Sequence, residues 1–231
     1  WIKKKIKGQR SGAKIFTYKN ILHHCIDCVS PQKIYSAGEF QKCARHAIKE
    51  IFARGKTPKV VGGTGFWIDT AVYDSNLPAV APDFKLRKSL EKKGAAELYK
   101  ILKGLDPKRA NTIEKENPRR LIRAIEIAKK IGRVPGLAKP RPRYDINWIG
   151  LNPSFKILEK NITDRANRMI NHGLPEETRQ LLKKGVSKKR IRELGFEYKN
   201  ALNYLEGNIT KKEMLSKLIR DTLRSAKQQM R

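Results

Sequence analysis

Arg54-Gly55-Lys56-Thr57-Pro58-Lys59-Val60-Val61-Gly62-Gly63-Thr64-Gly65-Phe66 is the stretch on which the fold turns. Residues 58–61 read as a short buried strand, and the four-residue turn after them leads into a helix beginning at Phe66. The helix before it starts at Ser36. Glu39 completes a capping box there, and Phe40, Ala44, Ala47, Ile48 and Ile51 recur at helical spacing until Gly55 ends the element. Helix, strand, glycine turn and helix in that order indicate an α/β arrangement.

Downstream, residues 81–130 carry helical periodicity and many charges. Helical segments are expected over 83–92 and 95–103, near Asp106-Pro107, and from Asn117, with Pro118 as the first helical residue. Three prolines among basic residues make 134–143 a stiff linker. Residues 144–151 return to strand character, and helices follow over 154–172, from Pro175 to Gly185, and from a second capping box at Thr210 and Glu213. Upstream, 21–29 is an apolar extended stretch and 1–20 a lysine-rich tail without periodicity. The expected organisation is a core domain in two parts, 1–80 (with the tail 1–20) and 144–231, interrupted by a helical insertion at 81–143.

Of 231 residues, 39% are hydrophobic, enough for a packed core, and no apolar run reaches the length of a membrane span. No membrane partner is expected, and the expected compartment is the cytoplasm. Lys and Arg number 52 against 22 Asp and Glu, a formal net charge of +30. Such an excess repels itself unless a polyanion offsets it, and nucleic acid is the natural partner because neutralised phosphates release counterions.

Three groups of residues could carry chemistry. Bare backbone at Gly62, Gly63 and Gly65 lets an anion approach a helix N-terminus, with the Thr64 hydroxyl at the same point; a plain tight turn is the alternative. Arg119, Arg120 and Arg123 follow the Asn117 cap, with Arg119 and Arg123 four apart on one face, and guanidinium forks grip phosphates; a solvated helix face is the alternative. Cys25, Cys28, Cys43 and His46 have zinc-ligand spacing but fall at apolar positions, so the cysteines are expected to pack as small hydrophobes and no metal is assigned to them.

In order along the chain, His23-His24-Cys25-Ile26-Asp27, Tyr35-Ser36 with Phe40, Arg54-Gly55-Lys56 with Pro58, and Gly62-Gly63-Thr64-Gly65 resemble the tRNA dimethylallyltransferase family. The likeness continues through Asp106-Pro107, Asn117-Pro118-Arg119-Arg120, Arg123 with Glu126, Trp148 to Leu151, Asp164-Arg165, Gly173-Leu174, Leu194-Gly195, Tyr198 and Ala226-Lys227-Gln228-Gln229. The resemblance implies a P-loop NTPase-like parallel sheet core with a helical insertion domain. It implies transfer of a dimethylallyl group from dimethylallyl diphosphate, as co-substrate, to the exocyclic amine of the adenosine 3′ of the anticodon, with Mg²⁺ as cofactor. The tRNA anticodon stem-loop would be the partner of an expected monomer. Thr64 would lie at the reaction channel as the catalytic position, with Gly62, Gly63 and Gly65 binding substrate. Arg87, Arg119, Arg120, Arg123, Tyr198, Lys199, Lys227, Gln228 and Gln229 match tRNA-contacting positions.

The sequence departs from that pattern in one main respect. Family members carry a phosphate loop, G-x-x-x-x-G-K-S/T, and an S-A-D-S-x-Q stretch whose Asp is taken as general base; these 231 residues contain neither. Leu223 also stands where Arg is common. The chain is therefore expected to bind tRNA and to transfer the prenyl group poorly or not at all. The alternatives are a catalytically inactive tRNA-binding relative and an unrelated basic RNA-binding structural protein.

Overall fold

The structure is a computed structural model and describes residues 2–4, 15–75, 77–136 and 141–229. The chain divides into two compact units, Trp1–Ala71 together with Ile146–Arg231, and Val72–Asp145.

The first unit opens with a three-stranded antiparallel sheet, β1 (Ile2–Lys4), β2 (Ile15–Tyr18) and β3 (Ile21–His23), in that spatial order. The β2–β3 register pairs Tyr18 with Ile21 across a two-residue turn. Lys19 and Asn20 both take positive φ there (46° and 63°), as a tight turn matching strand twist requires. Residues 1–20, expected as a tail, thus supply two strands. Their apolar residues are too sparse among lysines for alternation to show, and only the pairing of β1 with β2 and of β2 with β3 reveals them.

α1 (Ala37–Ala53) begins as the sequence indicates. The Glu39 amide donates to Ser36 Oγ at 3.2 Å and the Ser36 amide to Glu39 Oε2 at 2.9 Å. α2 (Gly65–Val72) follows the glycine turn. The expected strands at 58–61 and 144–151 form no ladder among the described residues, which therefore do not show the expected parallel sheet. A strand needs a neighbour to take up its N–H and C=O groups, and apolar content alone does not supply one. Val61, Ile149 and Leu151 are instead 92%, 81% and 84% exposed.

The second unit is helical: α3 (Phe84–Leu90), α4 (Ala95–Leu105), α5 (Pro107–Thr112) and α6 (Pro118–Ile131). α6 starts on the Asn117 cap and stops at Gly132, whose φ of 81° favours glycine. Leu98, Leu102, Leu121 and Ile125 are fully buried in its core. Its two ends are tied together: Tyr73 bridges Pro142, the Asp74 amide donates to the Arg141 carbonyl at 2.9 Å, and Arg143 pairs with Asp74 at 2.8 Å. Buried Asp106 caps α5 through the Arg109 amide and also accepts from the Val134 amide at 2.7 Å, and these hydrogen bonds hold its carboxyl below the usual range.

The first unit ends in five helices, α7 (Phe155–Asn171), α8 (Leu174–Lys183), α9 (Lys188–Leu194), α10 (Phe196–Leu205) and α11 (Lys211–Gln229). Ala166, Ile170, Leu174, Ala201, Met214 and Leu218 form one core cluster, and Val186, Ile191 and Leu202 a second. The capping box opening α11 is present, with the Thr210 amide 2.7 Å from Glu213 Oε2 and the Glu213 amide 3.2 Å from Thr210 Oγ1. Among the described residues no helix is long and apolar enough to cross a membrane.

Candidate nucleic-acid interface

In the first unit, the glycine turn meets the end of α11. The Thr64 carbonyl accepts from the Trp67 and Ile68 amides at 3.0 and 3.3 Å, which places Thr64 at the start of α2 with its side chain exposed. A Cβ built on Gly63 would lie 2.6 Å from the Gln229 carboxamide, so the absence of a side chain at Gly63 is what lets Gln229 close on the turn. Two of the sequence-selected groups, Gly62 to Gly65 and Lys227 to Gln229, are therefore neighbours although 166 positions separate Gly63 from Gln229.

A groove of about 630 Å³ runs along this part of α11, lined by Ser216, Ile219, Arg220, Leu223, Arg224, Lys227 and Gln228. Arg220, Arg224 and Lys227 stand at i, i+4 and i+7, on one helix face. All three are exposed, and none has a carboxylate partner among the described residues. Lys227 lies over the Phe155 ring, 5.3 Å from its centroid, leaving the ammonium accessible beside an aromatic surface. Sequence reasoning missed Arg220 and Arg224; their spacing to Lys227 was the available signal.

In the second unit the arginines separate into two kinds. Arg119 is exposed and has no carboxylate partner among the described residues, and Arg120 is exposed and pairs with Glu114 at 3.0 Å. Arg87 and Arg123 turn inward instead. Arg87 Nε and Nη2 donate to the two oxygens of Glu126 at 2.9 and 2.8 Å, and Arg123 donates to Glu126 and, at 2.9 Å, to the Val80 carbonyl. The Asp83 amide adds a bond to Glu126 at 2.6 Å. Glu126 is 2% exposed. Burial alone would push its carboxyl up, but Arg87, the Asp83 amide and Arg123 together hold it below its ordinary value. The four-residue spacing that would put Arg119 and Arg123 on one face is overridden by this buried acceptor.

Tyr198 is also inward. Its ring packs against both core clusters and its hydroxyl donates to Glu177 at 2.9 Å. Burial first, then Glu177, push its pKa up to about 12. The neighbouring Lys199 is exposed.

The cysteines do not sit in the buried core: Cys28 is exposed and Cys25 and Cys43 are half-buried. His46 lies 3.4 Å from Glu50. Among the described residues no cluster of three or more His, Cys, Asp or Glu side chains could hold a metal ion. The Mg²⁺ that the resemblance implies thus finds no protein cage in those residues; Thr64 offers one hydroxyl, and Mg²⁺ is commonly held largely by substrate phosphates and water.

An accessible glycine turn beside an unpaired cationic helix face, in a chain of net charge +30, defines a protein that handles polyanions. A family model described as IPP transferase matches residues 13–231. The chain is 37% identical over 220 residues to the tRNA dimethylallyltransferase of Alkaliphilus oremlandii and 35% identical over 219 residues to that of Pelotomaculum thermopropionicum, in each case covering 92% of this chain and 70% of the relative. The crystal structure of the full-length tRNA isopentenylpyrophosphate transferase from Bacillus halodurans superposes with a TM-score of 0.59 at 33% identity, covering 90% of this chain and 66% of that one. A eukaryotic dimethylallyltransferase acting on tRNA gives a TM-score of 0.71 at 21% identity, covering 90% and 55%, and supports the fold. The chain belongs to the IPP transferase family.

Proposed function

We infer that this chain is a tRNA dimethylallyltransferase, with dimethylallyl diphosphate as co-substrate and the adenosine 3′ of the anticodon as acceptor. The observation that carries the reading is the junction of the Gly62 to Gly65 turn with the cationic end of α11, in a chain matched over residues 13–231 by the family. In the reaction, the exocyclic nitrogen of adenine bonds to the allylic carbon as the carbon–oxygen bond breaks. Diphosphate departs with the electron pair, and the nitrogen loses a proton.

The residues divide the work as follows. Thr64 lies at the reaction channel, and Gly62, Gly63 and Gly65 keep side chains out of the substrate's way. Lys227, Gln228 and Gln229, with Arg220 and Arg224, meet the RNA backbone along α11. Arg119, Arg120 and Lys199 make further phosphate contacts, whereas Arg87, Arg123 and Tyr198 position the helices that carry them. Residues 81–143, which lie within the second compact unit, form the insertion that contacts tRNA. Residues 58–61 and 144–151 belong to a P-loop-type parallel core; the exposure of Val61, Ile149 and Leu151, apolar side chains that such a core would cover, supports this. The RNA target has to be taken out of its stack, which costs a few kcal/mol that stacking and hydrogen bonding in the channel offset.

The test pairs binding with transfer. An unmodified anticodon stem-loop with adenosine at the acceptor position is titrated against one carrying cytidine there. Labelled dimethylallyl diphosphate is then supplied and nucleosides are resolved by mass. Preference for the adenosine loop is expected; equal affinity for both loops and for an unrelated hairpin contradicts the reading. For these 231 residues, which contain no G-x-x-x-x-G-K-S/T, weak transfer is expected alongside selective binding.

A further inference from the structure

The connection between β3 and α1 gathers three thiols. Cys25 lies in the turn after β3 with left-handed backbone (φ 59°), and Cys43 lies within α1. Their sulfurs are 2.9 Å apart across 18 positions of sequence. Burial first, then Cys28 and Cys43, push the Tyr35 hydroxyl well above its usual pKa, so the third thiol lies by the same group. Two thiolates sharing one zinc at about 2.3 Å each stand roughly 3.8 Å apart in a tetrahedral site, and the Cys25–Cys43 separation is well short of that. A disulfide, by contrast, needs the sulfurs only about 1 Å closer than they already are.

We propose that Cys25 and Cys43 form an oxidisable pair that closes to an intrachain disulfide, with a low-molecular-weight disulfide such as oxidised glutathione as oxidant. The Cys43 thiolate attacks one sulfur of the oxidant, forming a mixed disulfide and expelling the first glutathione thiolate, which takes up the proton Cys43 released. Cys25 sulfur then attacks the Cys43 sulfur and expels the second glutathione, which leaves with the Cys25 proton. Two protein thiols are oxidised and one oxidant disulfide is reduced to two thiols. Burial first, then the hydrogen bond with Cys43, push the Cys25 thiol well above its usual pKa, which leaves little Cys25 thiolate to make the first attack. The bond would fasten the turn at Cys25 and Asp27, both at positive φ, to α1.

The reduced 231-residue chain is incubated with oxidised glutathione in chelator-treated buffer, and its intact mass is measured before and after addition of dithiothreitol. Digestion before each Asp and after each Lys and Arg separates Cys25 from Cys28 at Asp27 and Cys28 from Cys43 at Lys33 and Lys42, so mapping identifies the bridge. The expected result is a loss of about 2 Da, one bridge joining Cys25 to Cys43, and full reversal by reductant. Cys28→Ser retains the bridge, while Cys43→Ser forms none. Closing the loop raises hydrogen-exchange protection between Cys25 and Cys43 relative to the reduced chain. A bridge through Cys28, three independent glutathione adducts, or a retained metal equivalent that shields the thiols overturns the proposal. The wild-type map stands whether or not a variant folds.

Discussion

Replacing Glu126 with Ala removes the acceptor on which α3 and α6 depend. The carboxylate is 2% exposed and takes four donors: the Asp83 amide, two nitrogens of Arg87, and Arg123. Removing one partner of a buried ion pair costs about 3–5 kcal/mol, because the other charge is stranded. Here the side chains of Arg87 and Arg123 are 27% and 36% exposed and recover some water, which places the cost near the lower bound, about 3 kcal/mol. The chain has two compact units, so one global unfolding energy does not apply. Hydrogen exchange read by peptide is the suitable assay. A loss of about 3 kcal/mol lowers protection in α3 and α6 by roughly 100-fold, while α7 and α11 keep theirs. Replacing Arg87 and Arg123 with Met and Glu126 with Leu together restores much of the loss, since no unpaired charge remains. Protection in α6 within fivefold of wild type after Glu126→Ala would refute the assignment of this cluster as the anchor of the unit.

Three other outcomes follow from the same geometry. Arg119→Ala lowers tRNA affinity and reduces the salt slope by about 0.7–0.9 with protection unchanged, whereas Arg123→Ala costs roughly 1–2 kcal/mol of local stability; binding titrations and exchange on both variants check the contrast. Gly63→Ala pushes its methyl against the end of the flexible Gln229 side chain, so exchange protection stays within about tenfold while stem-loop binding weakens. The Glu39 carboxyl, drawn to about 2 from an ordinary 4.5 chiefly by Lys33 and then by Ser36, contributes stability that is complete above the unfolded value. That contribution is lost as pH falls through about 2, so acid titration of Glu39→Gln by circular dichroism shows a shallower decline across that window.

What could be read in the sequence was local. Ser36 with Glu39, Thr210 with Glu213, and Asn117 with Pro118 set helix starts through groups three residues apart or closer, and each cap is present. What depended on distant partners was not legible. β1 exists through pairing with β2, and β2 through pairing with β1 and β3, and the lysines around them hide the alternation. The apolar runs at 58–61 and 144–151 signal strands, yet strand formation needs a neighbour that periodicity does not reveal. Arg87 and Arg123 look like phosphate grips in one dimension, and a buried glutamate 39 positions from Arg87 claims them both. The Arg220, Arg224 and Lys227 stripe was legible at helical spacing, but the family resemblance drew attention to Lys227, Gln228 and Gln229 alone.

The central claim is that the cations along α11 hold the tRNA backbone beside the glycine turn. The direct measurement is the salt dependence of anticodon stem-loop binding by the wild-type chain and by the triple variant Arg220→Ala, Arg224→Ala, Lys227→Ala. Three lost phosphate contacts reduce the slope of log affinity against log salt by about 2–3, with α11 protection unchanged. An unaltered slope in a folded triple variant contradicts the account.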